Sequence, residues 1–336
     1  MKPLVIAGNI LVDIVKRIEN YPKPTMLVTI QSEQKAVGGC VCNTGIDLKV
    51  LDPSLPIYGL GVMGEDSSGE YVLSKLKENG IDTSWIRKTS QFSTGYTDVM
   101  TDCKGERTFF HYRGANQDLN ENDFSSLTSE KVSLVHIGYL LLLDQLDQED
   151  EQYGTKMARL LAHLQEKGIQ TSIDMVSEDS ARFAKIVRPS LKYCDYVIMN
   201  EFEAGKIFSI SPRKEDGSID IENLRFILKE CKKAGVKRKV IIHCPELGAL
   251  IDEKDEVVFV PSFSLPSNFI KGSVGAGDAF CAGALLGILK GYDNEHILRL
   301  ASCSATNNLA VMDSISGAKS EEESWKLENI LQRRKI

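Results

Sequence analysis

From about residue 117 onward, four short apolar runs recur at helix-length intervals: "SLVHIGYLLLL" (133–143), "QTSIDMV" (170–176), "DYVIMN" (195–200) and "KVIIHC" (239–244). Runs of this length without polar alternation read as strands buried on both faces, and a helix between each pair requires parallel pairing. The intervening sequence supplies the helices. Leu160, Leu161 and Leu164 lead to Gly168, and Leu224, Ile227, Leu228 and Cys231 lead to Gly235. Both sets have helical spacing and end on a glycine able to take the left-handed C-terminal conformation. The expected fold is α/β, a central mostly parallel sheet flanked by helices. The run from Leu4 to Val12, interrupted by Gly8 and Asn9 and followed by Asp13, reads as a further strand and not as a signal peptide.

The first third departs from this rhythm. "MLVTIQSE" (26–33) and "GYTDVMTDCKGERTFFHYRG" (95–114) read as strands, the latter a hairpin about Lys104-Gly105. Helical sequence at 66–80 separates them. We therefore expect one domain over 1–336, carrying a small discontinuous β-sheet lid formed by about 12–36 and 92–116. In the lid, Phe109, His111 and Arg113 alternate with Phe110 and Tyr112, so one of the two faces meets the site. The segment 320–336 reads as an amphipathic final helix packed by Trp325, Leu327 and Ile330.

Charge and cysteine usage narrow the function. A net charge of −7 without a long basic run argues against nucleic acid or a membrane surface as partner. Eight cysteines without a C-x-x-C pair form neither a zinc pattern nor a disulfide framework, and fit reduced thiols in a cytoplasmic protein. The five histidines show no metal-ligand spacing.

The chemistry concentrates in "KGSVGAGDAF" (271–280). Its glycines resemble a phosphate loop, yet the G-x-x-x-x-G-K-S/T template has lysine where this chain has Asp278, and G-x-G-x-x-G fails at Phe280. The following "AFCAGALLGILKG" is apolar all round, a buried helix that Gly291 ends. Gly275, Ala276 and Gly277 then lie at a helix N-terminus, where free N–H groups and the helix dipole favour an anion. Two readings of Asp278 follow. Either it stabilises the helix start as a first-turn anion, or it removes the proton of an acceptor hydroxyl while the loop holds a phosphoryl group.

The flanking pieces bear on that choice. "GSVGAGDAFCAG" and "GGCVCN" resemble the two signatures of the PfkB, or ribokinase-like, carbohydrate kinases, and "VIAGNILVDI", "GERTFFHYRGAN" and "DYVIMNEFEAGKI" are similar to family segments in the same order. The resemblance implies an ATP- and Mg²⁺-dependent phosphotransferase acting on a hydroxyl of a sugar. It makes Asp278 the base, with Asp13, Gly38, Gly39, Asn43 and Asn116 as substrate contacts. Asn200 and Glu203 would organise magnesium through water, without a direct protein-bound metal, and His243 and Gly248 in "HCPELG" would fall on the nucleotide side. It also implies a homodimer formed through the lid. A nucleoside kinase of the same fold and a catalytically silent sugar-binding regulator are the rival readings. The family's aspartate beside the anion hole is Gly272 here, which removes a carboxylate that the resemblance associates with a monovalent cation.

Overall fold

The structure is a computed structural model and describes residues 2–336. The strands in chain order are β1 (Leu4–Gly8), β2 (Leu11–Arg17), β3 (Ser32–Gly38), β4 (Ile57–Gly64), β5 (Asp82–Thr89), β6 (Gly95–Thr101), β7 (Arg107–Tyr112), β8 (Leu134–Leu140), β9 (Glu149–Asp150), β10 (Gly154–Thr155), β11 (Gln170–Met175), β12 (Tyr196–Asn200), β13 (Lys239–His243), β14 (Leu247–Ile251) and β15 (Val257–Pro261). The helices are α1 (Cys40–Leu51), α2 (Ser67–Glu78), α3 (Lys156–Glu166), α4 (Phe183–Leu191), α5 (Glu201–Phe208), α6 (Ile221–Lys233), α7 (Ala276–Leu289), α8 (Asn294–Leu309), α9 (Glu321–Trp325) and α10 (Leu327–Ile330).

Nine strands form the large sheet in the order β15-β14-β13-β12-β11-β8-β1-β4-β5. Pairing is parallel from β13 to β5 and antiparallel among β13, β14 and β15. Period-two alternation divides the core between the two faces. Val5 and Ala7 pack on one side with Leu160, Val187, Ile207 and Leu228 from α3 to α6. Leu4 and Ile6 pack on the other with Ile46, Val72, Leu285 and Ile297 from α1, α2, α7 and α8. Helix starts are fixed locally. The Thr155 hydroxyl accepts from Ala158 N on α3, and the Asp220 carboxylate accepts from Glu222 N and Asn223 N on α6. Among the described residues, no helix is long and apolar enough to cross a membrane.

The run from Leu4 to Val12 forms two strands. Gly8, at φ +125°, takes the chain out of the large sheet, and β2 enters a separate four-stranded sheet ordered β3-β2-β6-β7. The hairpin about Lys104-Gly105 forms as expected, with Tyr96 opposite Tyr112 and Thr101 opposite Arg107. The strand expected at 26–33 lies later, at Ser32–Gly38, because the backbone ladder to β2 begins at the pair Arg17 and Ser32. Met26 and Leu27, with no sheet face to cover, are exposed. The final helix also differs, being divided into α9 and α10. Trp325 packs against the core, but Ile330 is 72% exposed, because the tail turns back to pair Arg333 with Phe263.

One buried carboxyl on α1 opposes this packing. Both carboxylate oxygens of Asp47 are buried without a hydrogen-bond partner. Burial first, and then the nearby carboxylates of Asp278 and Asp313, push its pKa well above the usual range. A carboxyl raised in the folded state gives its full contribution below the unfolded pKa of about 3.9, and loses it as pH rises toward the folded value. Asp47→Asn should therefore melt several degrees above wild type at pH 7, with the difference vanishing near pH 4. Calorimetry across that range checks this, and an equal or lower melting point at pH 7 would contradict it.

Candidate functional site

The glycine-rich loop is shaped by contact with the segment after α8. Gly275 caps α7 at φ +79°, and a Cβ there would lie 2.5 Å from the Ser314 carbonyl oxygen, so only glycine fits. A Cβ at Gly272 would lie 2.8 Å from the Val311 carbonyl oxygen and 3.1 Å from that of Met312. Ala276 N bonds back to the Ser273 carbonyl. Gly277 and Asp278 follow in the first turn, whose N–H groups have no acceptor within the helix. That end of α7 therefore presents positive dipole ends to the space in front of it.

Asp278 turns inward and is 8% exposed. Its Oδ2 accepts from Asn43 Nδ2 (3.1 Å), its Oδ1 from Thr44 Oγ1 (3.4 Å), and both from the Tyr139 hydroxyl (2.8 and 3.0 Å). Burial, reinforced by the charge of Asp174, raises its pKa to about 6, while these three donors pull the other way. Asn43 is held in turn by the Ser314 hydroxyl, which donates to its Oδ1 at 3.0 Å. Behind them, Asp174 Oδ1 accepts from Tyr139 N (2.6 Å), and its Oδ2 lies 3.2 Å from His136 Nε2. Tyr139 itself has φ +63°, a left-handed conformation that costs a non-glycine residue roughly 1–3 kcal/mol and persists only where its surroundings enforce it.

Two cavities meet at Asp278. The first, about 440 Å³, lies between the small sheet and the α1 and α7 N-termini, and Asp13, Gly39, Asn43, Thr97, Arg107 and His111 reach it. Asp13 faces it from β2. Burial and then the charge of Asp278 raise its pKa to about 7, against a hydrogen bond from Thr97. Gly38 makes room for this carboxylate, since a Cβ there would stand 2.5 Å from Asp13 Oδ2. Phe109 and His111 line the same cavity from β7, which settles the face of that strand. Arg113 falls beyond the strand and pairs with Asp144.

The second cavity, about 480 Å³, lies on the other side of Asp278 and is bordered by Asn200, Glu203, His243, Ser273 and Gly277. Asn200 and Glu203 form a capping box on α5: Glu203 N donates to Asn200 Oδ1 and Asn200 N to Glu203 Oε2, each at 2.9 Å. The Ser177 hydroxyl donates to Glu203 Oε1 (2.7 Å), and burial raises the Glu203 pKa to about 7. His243 packs at a tilt against Phe280 with centroids 4.8 Å apart, and burial lowers its pKa to about 4, so at neutral pH it brings no charge to this cavity.

Four residues expected at the site border neither cavity: Gly38, Ala276, Asn116 and Gly248. Asn116 Oδ1 accepts from Ile10 N (2.8 Å) and its Nδ2 donates to the carbonyls of Ile10 (2.9 Å) and Arg113 (3.0 Å), so its amide fastens the β1–β2 crossing to the turn after β7. Gly248 pairs with His243, and a Cβ there would press on Leu298 and the Phe280 ring at 3.1 and 3.3 Å, which is a packing constraint. Conversely, the sequence reading passed over Tyr139 and Thr44. Thr44 adjoins Asn43, which marked the α1 end as a candidate, whereas Tyr139 lies inside an apolar run that carried no polar signal.

Residues 1–319 match the family described as pfkB family carbohydrate kinase. Ribokinase of Arabidopsis thaliana is 23% identical over 328 residues, covering 97% of this chain and 80% of that protein. A nucleoside kinase of Methanocaldococcus jannaschii is 21% identical over 295 residues, covering 88% of this chain and 86% of that one. Among solved structures, Arabidopsis thaliana ribokinase complexed with ribose and ATP superposes with a TM-score of 0.78 at 22% identity, covering 97% and 98% of the two chains. The chain belongs to the pfkB family of carbohydrate kinases.

The position of Asn116 predicts a stability phenotype. Asn116→Ala leaves the buried Ile10 N–H and carbonyl without partners, and should lower unfolding free energy by roughly 1–3 kcal/mol per unsatisfied group. Denaturant titration checks this, and unchanged stability with weakened acceptor binding would return the residue to the site.

Proposed function

We propose that the protein transfers the terminal phosphoryl group of ATP to a hydroxymethyl group of a sugar or sugar-like acceptor, with Asp278 as general base. The observation that carries this reading is the place of Asp278, at the start of α7 and in the wall common to both cavities. An acceptor in the first cavity and nucleotide phosphates in the second would meet at its carboxylate. The ribokinase with ribose and ATP bound supports ATP as the donor, by likeness of fold.

The acceptor hydroxyl is held by Asp13 and Asn43, with Gly38 leaving room for the Asp13 carboxylate and Gly39 for the Asn9 backbone. Asp278, raised to about 6, is mostly ionised at neutral pH yet basic enough to take a proton as the hydroxyl oxygen attacks the γ-phosphorus. As the bond to the leaving ADP breaks, the N–H groups at 275–277 and the helix dipole stabilise the charge on the transferred group. The oxygen donors of Glu203 and Asn200 on the phosphate side suit magnesium held through water, and His243 adds bulk without charge. Magnesium would neutralise nucleotide phosphate charge there. The small sheet acts as a lid over the acceptor, excluding water. Its outer face exposes Tyr96, Phe110 and Tyr112, which favours a homodimer through the lid.

A nucleoside kinase is the second reading, favoured by the carbon-rich lining of the first cavity, where Leu11, Val15, Val99 and Phe109 offer surface to a flat base. Turnover assayed on free sugars and nucleosides separates the two. Absence of ATP turnover with every acceptor would leave the silent regulator.

Two predictions follow from this chemistry. Asp278→Asn should retain the fold and ATP affinity while turnover falls by roughly 10² to 10⁴. Retention of more than about a tenth of wild-type turnover would remove the base assignment. Potassium should activate weakly or not at all, because Gly272 has no side-chain oxygen and no room for one. Asp313 is already engaged by Ile315 N, Ser316 N and the Ser316 hydroxyl. A potassium titration at constant ionic strength tests this, and a saturable several-fold rise would contradict it.

A further inference from the structure

Tyr139 has a use that packing does not explain. Its hydroxyl reaches both oxygens of Asp278, at 3.0 and 2.8 Å, from a ring that borders both cavities. Its backbone adopts φ +63°, with the amide tied to Asp174 Oδ1 at 2.6 Å. A tyrosine held in an unfavourable backbone conformation by a buried carboxylate is aimed at one place, and that place is the base.

We propose that Tyr139 is a positioning residue for phosphoryl transfer: its phenol holds the Asp278 carboxylate through both oxygens and yields one of them to the incoming acceptor hydroxyl. This rests on the reading of Asp278 as general base. The acceptor O–H bond breaks and its proton passes to Asp278. The acceptor oxygen bonds to the γ-phosphorus while the bond to the ADP oxygen breaks. Tyr139 keeps its proton throughout. Burial, together with the charge of Asp278, pushes the phenol well above its ordinary range, so it acts as a donor only.

The surroundings explain why such a donor is needed. Asp278 faces Asp174 on β11, Asp13 on β2, Asp47 with the thiols of Cys40 and Cys42 on α1, and Cys281 on its own helix. His243 on β13 is neutral, and the cation of Arg107 on β7 acts on Asp13. Burial and the charge of Asp174 disfavour ionisation of Asp278, and Asp278 in turn disfavours ionisation of Asp13, Asp47 and the buried thiols. The hydrogen bonds of Tyr139, Asn43 and Thr44 favour the ionised Asp278, and that of Tyr139 is the largest of the three.

The test is the pH dependence of kcat/KM for the acceptor. In Tyr139→Phe the ring remains and the donor is lost, so the acid limb should move to higher pH by roughly half to one unit. Turnover should fall several-fold at neutral pH and recover partly in mild alkali, with KM for ATP unchanged. In Tyr139→3-fluorotyrosine, where the phenol is a stronger donor, the limb should move to lower pH. A structural role moves neither limb. Limbs that coincide with wild type in both variants overturn the inference, and so does a shift of the same sign in both. The fluorinated variant keeps the test valid where the phenylalanine variant folds poorly. Asp278→Asn, assayed alongside, distinguishes the failures. If it stays active, the base assignment itself has failed. If it is inactive while both limbs stay fixed, only the role of Tyr139 has failed.

Discussion

A carboxylate buried at the head of an apolar helix is the constraint on which the rest of this site is arranged. An ionised group out of water is costly unless donors surround it, and Asp278 draws them from separate parts of the chain. Asn43 and Thr44 come from α1 and Tyr139 from the end of β8. Ser314 fixes Asn43, and its segment presses on Gly275. Meeting the needs of one charge thus fixes the mutual positions of two helices, a strand end and the loop after α8.

The helix that bears Asp278 is placed by packing. It is buried along most of its length, and Gly283 and Gly287 let α8 approach closely: a Cβ on Gly283 would lie 2.7 Å from the Ala301 Cα, and one on Gly287 3.2 Å from the Ile297 Cα. Dense apolar interiors resist displacement. The start of α7 is therefore held firmly from behind, while the second cavity lies open in front of it. A rigid back and an open front leave the Asp278 carboxylate fixed in position at the wall between the two cavities.

Much of this was legible in the sequence, for identifiable reasons. The parallel sheet was visible because each strand is buried on both faces and so lacks polar alternation, and the all-apolar helix after Asp278 marked itself. Asp13, Asn43, Glu203 and His243 each border a cavity in the structure. What escaped depended on tertiary contacts. Asn116 and Gly248 sit within matching segments, but one fastens a chain crossing and the other admits an aromatic ring. Tyr139 was hidden because a polar hydroxyl inside an apolar run has no periodic signature. The strand start at Ser32 was set by pairing with Arg17 and not by the hydrophobicity of 26–31.

The crossing at Gly8 and Asn9 has a consequence for fidelity. Asp13 travels with β2 in the small sheet, whereas Asn43 and Asp278 belong to the main body. On the proposed reading, an acceptor is gripped from two sides only if it is long enough to bridge them. On that reading, dividing the grip between the small sheet and the main body makes molecular length a condition for transfer, one that water is too short to meet.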